Sequence, residues 1–532
     1  LYIIKTMNTI SVTEPRMAVR SDVEKNHVVL KGASRVTPVT LTADSYQLGP
    51  SAPTNASWNV TPPSNQTVVD RFVRVRYYLD ITSTGGNFVP YSKDALRQFP
   101  ASSIIDVTSV SINGETVSDN TKRKLHAMLC YGNTAADRVK SWSTTAAQPD
   151  TYQKYNDWAQ PYGGSARNPM AAYGESSEAT RGGFEYVSST ATNVRVIVTE
   201  PLFISPFYQG LGHQTEGFVN VNDLSVNLRF ASNVGRAWSH DSSSAMTSVA
   251  CTFYKAPELL VNYLTPDLLQ PIPELQLLPY QKANEYIRSM SDIPIGGEVT
   301  VFSDTIRLSQ IPRKIFLWAR RSDASESFTT SDSFPSIERV SVSWGNESGL
   351  LASAGKEELF EISRRNGCNL DFPSWSKKRG SVLCLELGKD IGLNDSEAPG
   401  LMGSYNIQVE ITFKNQDTAI YSKPEFIMCT CSDGVFSIGP NTARASLGNL
   451  SQEQILKAHS SGEMEMHHET YASMEGGSFW SSLKNIVHKV ATVASPIVSA
   501  VAPEFAPLVQ GVKQLSGSGR SQGLSGGVIR RR

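Results

Sequence analysis

The stretch FVRVRYYLDI, residues 72–81, sends Val73, Val75, Tyr77, Leu79 and Ile81 to one side and Arg74, Arg76, Tyr78 and Asp80 to the other. A period of two fits a half-buried β-strand, because successive strand side chains point to opposite faces. The same alternation runs through DLSVNLRF (223–230), RLSQIPRKIFLWA (307–319), ERVSVSW (338–344), GSVLCLEL (380–387) and NIQVEITF (406–413). VTSVSINGETVS (107–118) adds a hairpin with Asn113-Gly114 at the turn, where both residues take positive φ. Helical signals are few. NTKRKLHAMLC (120–130) begins on a candidate Asn120 cap. GKEELFEISRRNG (355–367) puts acids early, arginines late and a glycine at the stop, which suits the helix dipole. Many short strands between Gly, Pro and Asn turns place the chain in the all-β sandwich or barrel class.

The order of elements occurs twice. Val110, Val196 and Val226 correspond to Val342, Cys384 and Val409, at offsets of 232, 188 and 183 residues. The offset falls after the helix, so the first half carries extra residues there. They fit the polar, Gly/Pro-rich segment 133–183, which reads as a long loop. A chain of 532 residues is long enough for two or three domains. The repeat makes two of them similar β-sandwiches in tandem, joined near 258–281, where prolines break an apolar run. The expected divisions are an N-terminal arm (1–34), a first sandwich (35–265), a second (266–440), a flexible linker (441–477), an amphipathic segment (478–527) and a basic terminal peptide (528–532). Residues 1–6 precede Met7, which reads as a natural start, so they are expected to lie outside the native chain.

Catalytic motifs are missing. The sequence has no P-loop, no G-x-G-x-x-G after a strand, no H-E-x-x-H and no G-x-S-x-G. None of the eight histidines has zinc spacing to a cysteine, and His467-His468 reads as a solvated pair on the linker. No catalytic residue, cofactor or metal site is therefore expected, and the chain is read as a non-enzyme. The six cysteines (Cys130, Cys251, Cys368, Cys384, Cys429 and Cys431) form no C-x-x-C and no dense framework, which predicts buried free thiols. No signal peptide is recognisable, and the longest apolar run (490–503) is interrupted by Pro496, short of the ~18–20 residues of a spanning helix. The expectation is a chain soluble when made and not secreted.

Charge divides the chain. Residues 478–532 carry seven basic residues against the single acid Glu504, a net +6, while the rest nets −7. An acidic body with a basic tail is two functional parts. Past Gly477 the period turns helical: Phe479, Trp480, Leu483, Ile486, Val487, Val490, Ile497 and Val498 form one apolar stripe. Lys484, His488 and Lys489 lie off it, and no acid occurs from 478 to 503. Such a helix suits a membrane interface. The competing reading, a helix docked on its own body, accounts neither for the Phe-Trp lead nor for the 37-residue polar tether before it.

The tail resembles the mature membrane-lytic minor capsid protein of adenoviruses. MEGG (474–477) followed by SFWSSLKNIVHKV looks like that family's protease site and lytic helix, and a second site stands at LSGG (524–527) before VIRRR. The resemblance implies cleavage by a viral cysteine protease at Met474, Gly476, Gly477, Ser478 and at Leu524, Gly526, Gly527, Val528. The fusion to a large body and the lack of a terminal cysteine depart from the adenovirus pattern. The body, over roughly 27–440, is similar to the double jelly-roll major capsid proteins of polinton-like and adenovirus-like eukaryotic DNA viruses. NHVVLKGASRVTP, PPSNQTVVDRFVRV, LRQFPASSIIDVTSVSINGETVS, TEPLFISPF, GLLASA and GKDIGL carry that similarity.

The resemblance implies two eight-stranded jelly rolls, homotrimeric capsomers in an icosahedral virion shell, and contacts with neighbouring capsomers, penton and minor capsid proteins. It adds a viral protease, a membrane for the tail, and genomic DNA for Arg530, Arg531 and Arg532. Assembly is expected in the host cytoplasm or nucleus. Two alternatives stay open. A small RNA virus coat protein with a lytic C-terminal helix would need a basic arm, yet residues 7–50 hold five basic residues and four acids. An adhesive or carbohydrate-binding β-sandwich would need a signal peptide and paired cysteines.

Overall fold

The computed structural model describes residues 18–22, 27–31, 35–64, 67–88, 94–132, 145–147, 149, 185–207, 217–240, 245–265, 275–417, 419–448 and 455. The chain divides into two units, residues 1–452 and 453–532, and apart from Ile455 the second lies outside the described residues.

Four antiparallel sheets dominate the first unit. Sheet I runs in the order Glu185–Ser189, Asn193–Pro201, Arg74–Thr84, Glu258–Thr265, Arg35–Thr42, with Ser248–Phe253 also on Arg74–Thr84. Sheet II runs Asn55–Val60, Leu224–Phe230, Ile105–Ile112, Glu115–Asp119. Sheet III runs Gln276–Ser289, Pro424–Ile438, Lys314–Arg321, Leu383–Glu386. In sheet IV, Glu298–Phe302 and Ile306–Gln310 both pair with Met402–Lys414, followed by Ser336–Trp344 and Glu347–Leu350.

The central strands of sheets I and II recur in sheets III and IV in the same order. Asn193–Pro201, Arg74–Thr84, Glu258–Thr265, Arg35–Thr42 map in order onto Leu383–Glu386, Lys314–Arg321, Pro424–Ile438, Gln276–Ser289. The repeat reaches single residues. Val110 pairs with Val226 in the first half, and Val342 pairs with Val409 in the second, the residues that the offsets of 232 and 183 make equivalent. This is a double jelly roll.

Alternation explains each layer. Val75, Tyr77, Leu79 and Ile81 of sheet I join Trp58, Val110 and Val226 of sheet II in one buried core. Asn113 (φ 47°) and Gly114 (φ 87°) make the two-residue turn between Ile105–Ile112 and Glu115–Asp119. Each roll inserts one helix after the hairpin: α1, Thr121–Met128, and α2, Lys356–Arg365. α2 has the expected dipole pattern, and the Gly355 N–H donates to Glu358 Oε2 at 2.8 Å.

Two local expectations are corrected. Asn120 precedes α1 but its side chain does not cap the helix; its amide reaches Glu285 Oε2 at 3.4 Å instead. Ala443–Leu447, assigned to the flexible linker, is a strand on Gly434–Ile438 of sheet III. Its small residues gave a weak alternation in the sequence, yet Ala443, Ala445 and Leu447 pack against the first core. Ala18–Asp22 and His27–Lys31 pair in the segment read as an arm. The loop expected at 133–183 lies outside the described residues except 145–147 and 149.

Candidate assembly sites: the seam and the outer sheet faces

The two rolls meet along a seam with three parts. The first is ionic. The first roll contributes Arg97, Lys122, Arg123 and Arg236, and the connection between Lys314–Arg321 and Ser336–Trp344 contributes Asp323, Glu326 and Asp332. Arg97 Nη1 sits 3.0 Å from Asp332 Oδ2, and its Nη2 donates to the Ser327 and Thr330 carbonyls at 2.9 and 2.6 Å. Arg236 Nη1 lies 2.5 Å from Glu326 Oε2, and its other nitrogen pairs with Asp332. Lys122 Nζ is 2.9 Å from Asp323 and 3.4 Å from Glu326, while Arg320 bonds both acids from their own side. His126 Nε2 is 3.4 Å from Asp332 Oδ2.

The centre of this network is dry, while Asp323 and Arg123 at its edge stay partly exposed. The side chains of Arg97, Asp332, Lys122 and Glu326 are each no more than 3% exposed. Burial by itself would raise the Glu326 carboxyl, but Arg236, Arg320 and Lys122 outweigh it and hold the group at about 2. Asp323 is also held well below the usual range, against burial, by Arg320 and Lys122. A buried ion pair adds little over an apolar contact, but removing one partner strands the other, so the network specifies one relative placement of the rolls.

The second part is apolar. Phe426, whose ring centroid is 5.9 Å from that of Phe413 of sheet IV, marks the inner face of sheet III. Its neighbour Ile427 and the alternate Cys429 therefore face outward, with their cross-strand partners Trp318 and Phe316. Ala127, Met128, Cys130 and Tyr131 at the end of α1 cover them. The Tyr131 ring meets Phe316 edge-on at 5.0 Å, and its hydroxyl donates to the Val382 carbonyl at 2.6 Å. All six cysteines are free, and Cys130, Cys384 and Cys429 are buried in this cluster with Cys431 at its edge. The third part joins the end of sheet III to the first core, through Leu278, Tyr280, Phe436 and Ile438. There the Ala445 N–H donates to Glu115 Oε1 at 3.1 Å.

Apart from the cysteines, expected only as buried thiols, none of these seam residues was singled out in the sequence. The basic run Lys122-Arg123-Lys124 inside an otherwise apolar helix is the one signal that pointed there. The residues that were singled out, at 474–478, 479–498, 524–528 and 530–532, all lie outside the described residues. Among the described residues no helix is long and apolar enough to cross a membrane, and no cluster of His, Cys, Asp and Glu could hold a metal.

Comparison with known proteins decides the family. Residues 6–268 match the Sputnik virophage major capsid protein first domain, and residues 284–434 match the major capsid protein V20 C-terminal domain. The putative capsid protein V20 of Sputnik virophage is 30% identical over 544 residues, covering 92% of this chain and 88% of that protein. The chain belongs to the Sputnik virophage major capsid protein family. Its solved relatives agree. The Sputnik virophage structure at 3.5 Å by cryo-EM superposes with a TM-score of 0.73 at 28% identity, covering 87% of this chain and 98% of that one. The mavirus major capsid protein shares the fold, with a TM-score of 0.64 at 15% identity over 82% and 97% of the two chains. The chain is thus a virophage-type capsid protein, a structural component of the virion and not an enzyme. The RNA virus and adhesive-module alternatives fall with that membership.

Proposed function

We propose that this capsid protein forms homotrimeric capsomers of an icosahedral shell and carries a membrane-disrupting tail released by proteolysis. The supporting observation for the tail is its division from the body. The last described strand of the rolls is Ala443–Leu447. An acid-free amphipathic segment follows, bracketed by MEGG and LSGG. Two Gly-Gly sites around one such segment are far more specific than one. A viral cysteine protease cuts after Gly477 and Gly527, and residues 478–527 then act at a membrane through the Phe479-Trp480 lead and its basic flank. Arg530, Arg531 and Arg532 leave as a short peptide or contact genomic DNA through its phosphates. Neighbouring capsomers, penton and minor capsid proteins are the remaining partners, and assembly takes place in the host cytoplasm or nucleus.

Mass spectrometry of purified particles tests the cut. A new N-terminus at Ser478 is expected, and intact chains throughout refute it. A peptide of residues 478–503 is expected to leak anionic liposomes; no leakage removes the lytic claim. Trimers of the full chain by light scattering are expected, and a monomer at capsid-forming concentrations counts against the capsomer.

A further inference from the structure

α1 and α2 hold the same place in the two rolls, and a cysteine follows each of them closely. Cys130 stands just past α1, and Cys368 just past α2, beyond the helix stop at Gly367. The two helix ends meet across the seam. The Asn369 N–H donates to the Cys130 carbonyl at 2.9 Å, and the Asn369 side-chain amide donates to the Leu129 and Gly132 carbonyls at 3.1 and 2.9 Å. The second roll thus caps the last carbonyls at the end of the first roll's helix. The backbone bond also limits how far apart the cysteines lie. The Cys368 Cα is two bonds from the Asn369 nitrogen, and the Cys130 Cα two bonds from its own oxygen, each about 2.4 Å. With the N–H pointing at the oxygen, the two Cα atoms are no more than about 6.5 Å apart. A disulfide spans roughly 4.4–6.8 Å between Cα atoms. Both residues are buried, at 3% and 8% exposure, and both are thiols in the structure.

We propose that Cys130 and Cys368 are an oxidisable pair whose disulfide staples the two rolls once the particle has left the reducing interior of the cell. Spacing rules out the strand cysteines as pairs among themselves. Cys429 and Cys431 lie two residues apart on one face of a strand, about 6.8 Å, where a disulfide needs Cβ atoms about 3.8 Å apart. Cys384 and Cys429 flank Phe316 from opposite sides, two strand spacings or about 9–10 Å apart. Cys251 belongs to the first core. The oxidant is a low-molecular-weight disulfide such as oxidised glutathione. One cysteine thiolate attacks it, forming a mixed disulfide and releasing one glutathione thiol. The other cysteine then displaces the second glutathione. The pair loses two electrons and two protons, and the small disulfide gains them as two thiols. Burial, and then the neighbouring Cys130, push the Cys368 thiol up to about 12, so little thiolate exists at neutral pH and oxidation is slow. The pair therefore stays reduced while the rolls dock and closes in the standing particle. The closed loop takes in most of both rolls, and long loops gain most from a link in the chain-entropy account.

Folded full-length protein is incubated with oxidised glutathione at pH 8, blocked with N-ethylmaleimide under denaturation, and mapped by mass spectrometry without reduction. One linked peptide pair containing Cys130 and Cys368 is expected, about 2 Da lighter than the two thiol peptides together and split by dithiothreitol. Recovery of both cysteines with N-ethylmaleimide overturns the pairing. So does glutathione left on both, or Cys130 linked to Cys384 or Cys429 instead. The map is made on wild type, so it decides the pairing even where a variant fails to fold. The urea midpoint of the oxidised protein is expected to lie above that of the reduced protein, and Cys368→Ser is expected to show one midpoint under both conditions. A bond that forms without raising the midpoint overturns the staple.

Discussion

Replacing Glu326 by Gln tests the ionic seam with almost no change of shape. Its carboxylate is 3% exposed and lies within reach of Arg236, Arg320 and Lys122. A carboxyl brought from 4.5 to about 2 favours its charged form by roughly 3 kcal/mol. Deleting one partner of a buried pair costs about 3–5 kcal/mol by the general rule, so the two routes agree. The variant is expected to lose about 3 kcal/mol at pH 7, read from the urea midpoint and slope. The sign of the pH dependence follows from the depressed value. The stabilisation is complete above the unfolded value of 4.5 and is lost as pH falls through about 2. The gap between wild type and variant should therefore be full at pH 7, nearly full at pH 5, and closed near pH 2. A loss under about 1 kcal/mol at pH 7, or a gap already closed at pH 4.5, would refute the reasoning.

Trp318→Ala should cost about 3–5 kcal/mol, because the indole is fully buried between sheet III and α1; thermal unfolding checks it. Gly114→Val should cost more than about 1 kcal/mol in chemical denaturation, since a β-branched residue is strained at φ +87° although the space beside it is open. Iodoacetamide at pH 8 should label Cys431 before Cys251. Burial pushes the Cys251 thiol up to about 12, whereas a hydrogen bond from Cys429 lowers Cys431, which is only half-buried. Peptide mapping that finds Cys251 labelled first would contradict this.

How much of this was legible follows from what sequence patterns encode. Val73 through Ile81 announced a strand because one face is core and the other is not, and that contrast survives in a single chain. The offsets announced the duplication because the strands of both rolls keep the same pairing, down to Val110 with Val226 and Val342 with Val409. Asn113-Gly114 was legible because its turn demands positive φ. The seam was not legible. Asp332 and Arg97 are 235 residues apart, and each looks like any surface charge until the rolls are docked. Outward positions on sheet III read as core for the same reason: Ile427 and Cys429 alternate with Phe426 and Met428 and are equally apolar, so a strand covered on both faces loses its period. That loss is itself a signal of a docked neighbour. Arg74–Thr84 keeps its period, whereas Lys314–Arg321, the same strand of the other roll, does not, which corrects the reading of 307–319 as one alternating stretch: it is two strands in different sheets, and the second is buried on both faces.

A duplicated roll starts with two equal helices and two equal outer faces. Once one helix is covered permanently by the other roll, its surroundings can become apolar without risk to solubility, and Ala127, Met128 and Tyr131 against Trp318 and Phe316 are what that permits. α2 keeps a polar exposed face in Glu357, Glu361, Arg364 and Arg365, and an apolar patch of that size in its place would favour aggregation. The ionic network around Glu326 belongs to the same logic. Its cations come mostly from the first roll and its acids all from the second, so swapping or reversing the rolls would bury like charges against each other, and only one order of docking is allowed.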